Sequence, residues 1–168
     1  IRNFTFDYDP LPYTAGRVLI VSPDEGGIEI EILPDHPLPD EFPAFIHEHK
    51  GMLVDESESF AMKRDAPLLL IHDGFERLKD RRFIVRFNDP QTLRWFETGD
   101  IYILDPRWYG ASGGSTVRTL GGQDIVLMDL TIRAAANECL NSFYTDRLVY
   151  IRVRLERGPD RVLSVNNG

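Results

Sequence analysis

Cysteine is almost absent from this chain. Cys139 is the only one in 168 residues, so no disulfide can form within a molecule, which suits a reducing compartment. Cys139 lies among apolar neighbours and reads as a buried, inert thiol. Long hydrophobic runs are missing too: nothing approaches the roughly 20 apolar residues of a membrane span, so a cytoplasmic protein without a membrane partner is expected. The chain opens on Ile1 rather than Met, consistent with a trimmed leader. Lysine is limited to Lys50, Lys63 and Lys79, and this preference for arginine points to a GC-rich, bacterial source. No P-loop, no glycine-rich dinucleotide fingerprint and no nucleophile elbow occurs.

Histidine is scarce as well: His36, His47, His49 and His72. The His47-Glu48-His49 triplet is the one tempting metal pattern. Asp40 as N-cap, Pro43 in the first turn and Gly51 beyond the end predict a helix there. At roughly 100° per residue, positions two apart diverge on a helix, so the two imidazoles would not share an ion. No metal and no cofactor is expected.

Charge is unevenly spread. Residues 1–60 hold 13 Asp+Glu against Arg2, Arg17 and Lys50, a balance of −10; residues 61–168 hold 14 against 16, a balance of +2. An acidic first third repels phosphate and argues against nucleic acid, while it admits a basic protein partner.

The composition, 42% apolar and 27% charged, is that of a globular protein, and the length suits a single domain, residues 1–168. Val149, Ile151, Val153 and Leu155 alternate with Tyr150, Arg152 and Arg154, predicting a half-buried strand. Residues 125–130 are nearly all apolar and predict a strand covered on both faces. Ile132, Ala135, Ala136, Cys139, Leu140 and Phe143 recur at helical spacing, predicting a main amphipathic helix over about 131–144, packed on the sheet.

Phe4, Phe6 and Tyr8 mark an opening strand. Residues 17–21 and 28–33, joined through Pro23-Asp24-Glu25-Gly26-Gly27, read as a hairpin. Further strands are predicted near 67–72, 83–87 and 101–104. Short helices are predicted at 55–64 and 75–80, and another between the Asp89-Pro90 start and the Gly99 stop. No internal repeat is visible. The sum is an α+β domain with a mixed or mostly antiparallel sheet.

Two regions offer binding chemistry. Glu29 and Glu31 project from the acidic hairpin, with Arg152 and Arg154 as candidate cross-sheet partners. Residues 107–116 form an aperiodic glycine-rich loop in which Arg107, Trp108, Tyr109, Ser112 and Ser115, with Arg118 just beyond, could clamp an anion or stack on a flat ligand. Asp100 and Asp105 flank a strand as a candidate acid–base pair, and His72 is a candidate rim residue.

The reading that follows is a non-catalytic protein-binding module, of the toxin-neutralising or effector-accessory kind, that presents its acidic face to a basic partner. One alternative is a small-molecule enzyme or anionic-ligand-binding protein with its site at residues 107–116. The other is a subunit of a phage or secretion assembly.

Overall fold

A computed structural model describes residues 1–7, 13–41, 50–55, 61–67, 69–104, 116–133 and 139–156. Strands make up 61% of these residues, and the helical part is confined to two short 3-10 turns, Pro23–Glu25 and Pro90–Trp95. The chain divides into two compact units, Tyr13–Pro106 and the pair of segments Ile1–Pro12 and Arg107–Gly168. The α+β expectation is therefore corrected: among the described residues this is a β protein. No helix there is long and apolar enough to cross a membrane.

In the outer segments β1 is Arg2–Asp7, β10 Val117–Leu120, β11 Gln123–Arg133, β12 Leu140–Phe143, β13 Asp146–Ile151 and β14 Arg154–Glu156. All their pairings are parallel. β10 lies on β12, and β11 lies on β13 and then β14, always with partners 23 residues apart: Val117 with Leu140, Ile125 with Leu148, Thr131 with Arg154. β1 takes the other side of β11, Phe4 beside Leu130 and Phe6 beside Ile132. Successive coils of a parallel solenoid produce this constant offset, because each turn lays its strands directly over those of the turn before. Val117, Leu127, Leu130, Ile132 and Cys139 form its core, with Phe6, Ile125, Leu140, Leu148 and Val153 packed against them.

The expected helix over 131–144 is thus overturned at both ends, since Thr131, Ile132 and Arg133 complete β11 and residues 140–143 are β12. Residues 134–138 lie outside the described part. The misreading has a local cause. Asp129 sits at φ 54°, which reverses the side-chain alternation, so Leu127 and Leu130, three apart, are both buried. Three-residue spacing imitates a helix when a strand carries such a bulge. The absence of a repeat is corrected too: across the two coils only Val126 over Val149 is identical.

In the central unit β2 is Thr14–Ser22, β3 Gly27–Ile32, β4 Lys50–Asp55, β5 Ala61–Met62, β6 Leu70–Ile71, β7 Gly74–Lys79, β8 Arg82–Arg86 and β9 Ile101–Leu104. They make one antiparallel sheet in the order β7-β8-β3-β2-β9-β4, with β5 and β6 both on β4. β6 and β7 are separated only by His72 and Asp73, so the sheet curls and its two ends belong to consecutive pieces of chain.

The expected hairpin is present as β2–β3, and the strands near 70, 83–87 and 101–104 are present as β6, β8 and β9. The helix at 75–80 is instead β7. Those at 40–51 and 55–64 are contradicted where described, since Lys50 and Gly51 open β4 and Ala61 and Met62 are β5. The Asp89-Pro90 start does cap a helical segment: Asp89 Oδ1 accepts from Gln91 N at 2.9 Å, and the segment is a 3-10 turn that stops at Trp95, short of Gly99.

The sheet interior is filled by Val18, Ile28, Ile30, Ile32, Phe83, Val85, Tyr102 and Leu104, sealed by Leu93, Phe87 and Phe96. Tyr102 is central. Its ring meets Phe87, Phe96 and His72 at centroid distances of 6.0, 5.3 and 6.2 Å, and its hydroxyl donates to Leu70 O at 3.3 Å. It needs glycine opposite, because a Cβ on Gly51 would lie 2.2 Å from the ring.

Candidate functional site

A cleft of about 360 Å³ opens in the central unit, between β6 and the turn Pro90–Trp95. Pro67, Leu69, Leu70 and Ile71 give it an apolar side, with Ile71 60% exposed. Asn88, Gln91 and Thr92 add uncharged hydrogen-bonding groups, and Trp95 completes the described lining. The turn holds these residues because Asp89 caps it and Leu93, on its inner side, is buried in the core. Short 3-10 geometry brings side chains three apart onto one side, which places Gln91 with Arg94 and Thr92 with Trp95 along the cleft.

The two charged groups in the lining already have partners. Asp89 holds the amide of Gln91. Arg94 places its guanidinium 4.7 Å from the centroid of the Trp95 ring and donates to Gln91 Oε1 at 3.4 Å. Asn88 Nδ2 donates to Asp73 Oδ1 at 3.1 Å, which fixes the amide at one end of the cleft. The site therefore combines Trp95, an apolar wall and neutral polar groups, and its charged residues Asp89 and Arg94 offset each other. Clefts of this size and composition hold small ligands.

The residues singled out in the sequence fall elsewhere. Arg107, Trp108, Tyr109, Ser112 and Ser115 lie outside the described residues, as do Asp105, His47 and His49. Arg118 is exposed on β10, its guanidinium 5.3 Å from the centroid of Phe143. Glu29 and Glu31 stand on β3 across from Arg82, whose Nη1 reaches Glu29 at 3.1 Å and whose Nε lies 3.8 Å from Glu31. The suggested partners are engaged otherwise: Arg152 binds Asp129 and Arg154 binds Glu156.

Asp100 is buried and structural. It accepts from Lys63 Nζ at 2.8 Å and from the backbone of Glu97 at 2.7 Å. His72 is no rim residue; it is 2% exposed, between Phe87 and Tyr102. Burial pushes the Cys139 thiol above its ordinary range, which keeps it protonated and unreactive. Among the described residues no group of three His, Cys, Asp or Glu could hold a metal ion.

The cleft was missed because its parts lie far apart in the chain, Leu69 and Ile71 on one segment, Asn88 to Trp95 on another. The only sequence signal was the Asp89-Pro90 cap, read as a helix start. No protein-family model matches the chain, and no curated protein is significantly similar to it.

Proposed function

We propose that this protein is a non-catalytic binding module whose central unit holds a small, uncharged, amphipathic ligand of the sugar type in the cleft beside Trp95. The lining of that cleft carries the reading. A sugar ring has an apolar face that stacks on an indole and hydroxyls that need amide and hydroxyl partners, and Trp95, Asn88, Gln91 and Thr92 supply both. Anionic ligands fit poorly. Residues 13–106 contain 19 Asp+Glu against 10 Lys+Arg, a balance of −9, and the one cleft cation, Arg94, is spent on Trp95 and Gln91. A binding role rather than catalysis is supported by the single carboxylate among the described lining residues, Asp89, since acid–base chemistry on a glycoside calls for two.

The test is a titration of the protein with neutral mono- and oligosaccharides, followed by tryptophan emission in a Trp108→Phe background. An emission change with binding near ~1 mM, about −4 kcal/mol, is expected, and calorimetric titration, which needs no tryptophan, should show that binding lost in Trp95→Ala. An unchanged spectrum across the panel would overturn the sugar reading.

A basic protein partner is the second reading, and the acid surplus of residues 13–106 favours it. Asp24 and Glu25, at the tip of the β2–β3 hairpin, are exposed acidic groups suited to it. Glu29 and Glu31 serve it less well, because both already pair with Arg82. Capture of a basic protein at low salt, lost at high salt and lost with Asp24→Lys/Glu25→Lys, would favour this reading over the first.

A further inference from the structure

The two amides of the cleft have fixed and opposite polarity. Asn88 and Gln91 each carry an accepting and a donating end, and the neighbour that holds one end leaves the other for a ligand. Asn88 Nδ2 donates to Asp73 Oδ1 at 3.1 Å. A carboxylate only accepts, so the Asn88 amide cannot turn over without setting oxygen against oxygen. Gln91 is held the other way round: its Oε1 accepts from Arg94 Nη1 at 3.4 Å, and a guanidinium only donates. Arg94 is in turn steadied by the Trp95 ring, 4.7 Å from its centroid. Asn88 therefore keeps its oxygen, Oδ1, for a ligand, and Gln91 keeps its nitrogen, Nε2.

Hydroxyls alone do not call for such a pair. A sugar hydroxyl donates or accepts as its neighbour requires, and suits amides of either orientation. A carboxylate has no hydrogen for Asn88 Oδ1, and an ammonium has no lone pair for Gln91 Nε2. A secondary amide has one fixed donor and one fixed acceptor, so its N–H suits Asn88 Oδ1 and its carbonyl oxygen suits Gln91 Nε2. An acetamido group also brings a methyl, and the cleft has an apolar wall of Pro67, Leu69 and Ile71 that would shield it from water.

We infer that the ligand of this cleft is an N-acetylated sugar. Its acetamido N–H donates to Asn88 Oδ1, its acetamido carbonyl accepts from Gln91 Nε2, and its methyl lies on the wall of Pro67, Leu69 and Ile71. Asp73 and Arg94 are positioning residues, each setting the polarity of one amide. The inference rests on the sugar reading above and narrows it to one class.

Calorimetric titration with glucose and N-acetylglucosamine, which differ in that one substituent, tests it. Two added hydrogen bonds in a site open to water should make the N-acetyl sugar bind about tenfold more tightly. Asp73→Lys reverses the constraint on Asn88, since an ammonium only donates and draws Oδ1 toward itself. That variant should bind both sugars alike, with its affinity for glucose unchanged. Asp73→Asn, which is isosteric, should reduce the preference in part, because Asn88 can then adopt either orientation. Asp73 is exposed, so both variants fold, which unchanged circular dichroism spectra verify.

Equal binding of the two sugars by the parent protein would overturn the inference and leave the sugar reading standing. Binding of neither would overturn it too, and the sugar reading falls with it only if the wider panel of neutral sugars is also silent. A preference for N-acetylglucosamine that survives both substitutions would belong to the methyl group and overturn the role given to the amides.

Discussion

The central unit and the parallel stack bury strands in opposite ways. In the first, antiparallel strands from distant parts of residues 13–106 curl until β6 and β7, adjacent in the chain, take the two ends of the sheet. In the second, strands one period apart pile up in parallel, and each coil depends on its neighbours for a core. The curled sheet is complete in itself and fails at single points. The stack is modular: its interior positions are costly to change and its terminal ones cheap.

The difference extends to polar groups. Inside the curled sheet the buried ion pair Lys63–Asp100 ties β5 to the β9 entry, with Asp100 7% exposed. On the stack the ion pairs are exposed and repeat with the coil. Asp124 takes Arg147 Nη2 at 2.8 Å and Asp129 takes Arg152 Nη2 at 2.8 Å, each pair one period apart. All four residues have positive φ. These pairs occupy the corners where the strand alternation shifts, and they mark the register from coil to coil.

The most destructive change should be Gly51→Ala. Its methyl group would overlap Tyr102, which is fully buried and cannot move without displacing Phe87 and Phe96. Overpacking of this kind costs about 3 kcal/mol or more, and denaturant unfolding should show the central unit lost. A midpoint close to wild type would mean that the sheet gives way there, and that Tyr102 is held less tightly than its burial implies.

Lys63→Met comes next. It leaves the Asp100 carboxylate buried without its cation, a loss of about 3 kcal/mol. Asp100→Asn in the same background should recover part of it; an additive double variant would show that the pair is not coupled.

Ile132→Ala and Leu155→Ala sharpen the contrast within one ladder. The first opens a cavity in the stack and should cost about 3 kcal/mol. The second removes a half-exposed side chain at its end and should cost less than about 1 kcal/mol. Equal costs would mean that the end of the stack is as well covered as its middle.

Acid should have the smallest effect, through the exposed Asp–Arg pairs of the stack. Hydrogen bonds from Arg147 and Arg152 hold the carboxyls of Asp124 and Asp129 below their ordinary 3.8. A carboxyl depressed by folding stabilises the native state above its unfolded value, and the contribution disappears as pH falls through the lower folded value. The stack should therefore lose stability below about pH 4, and Asp129→Asn should flatten that slope while leaving acid unfolding of the central unit unchanged. An unchanged slope would show that these exposed pairs contribute nothing.

Much of the strand content was legible beforehand. Where side chains alternate without interruption, as in Ile28, Ile30 and Ile32 or Phe83, Val85 and Phe87, period two is unambiguous and β3 and β8 follow. The failures fall where the alternation breaks. Asp129 and Arg152 shift its phase, and the four-residue β12 is too short to show a period at all. The 23-residue repeat was illegible because it conserves hydrophobic position, not residue identity: Leu127 becomes Tyr150, and Ile132 becomes Leu155. The cleft was hidden for a different reason, since Leu69 and Trp95 become neighbours only when the sheet curls.

By itself, then, the sequence determined the local rules: which stretches extend, where Asp89 and Pro90 begin a turn, how unevenly charge is shared, and that no disulfide braces the chain. Tertiary structure alone decided which strands pair, that one set stacks in parallel while the other curls antiparallel, and that the acidic residues of β3 meet Arg82. Backbone hydrogen bonding between strands is the same for every sequence. The choice of partner therefore rests on which faces can be buried together, a property of distant residues that no single segment contains.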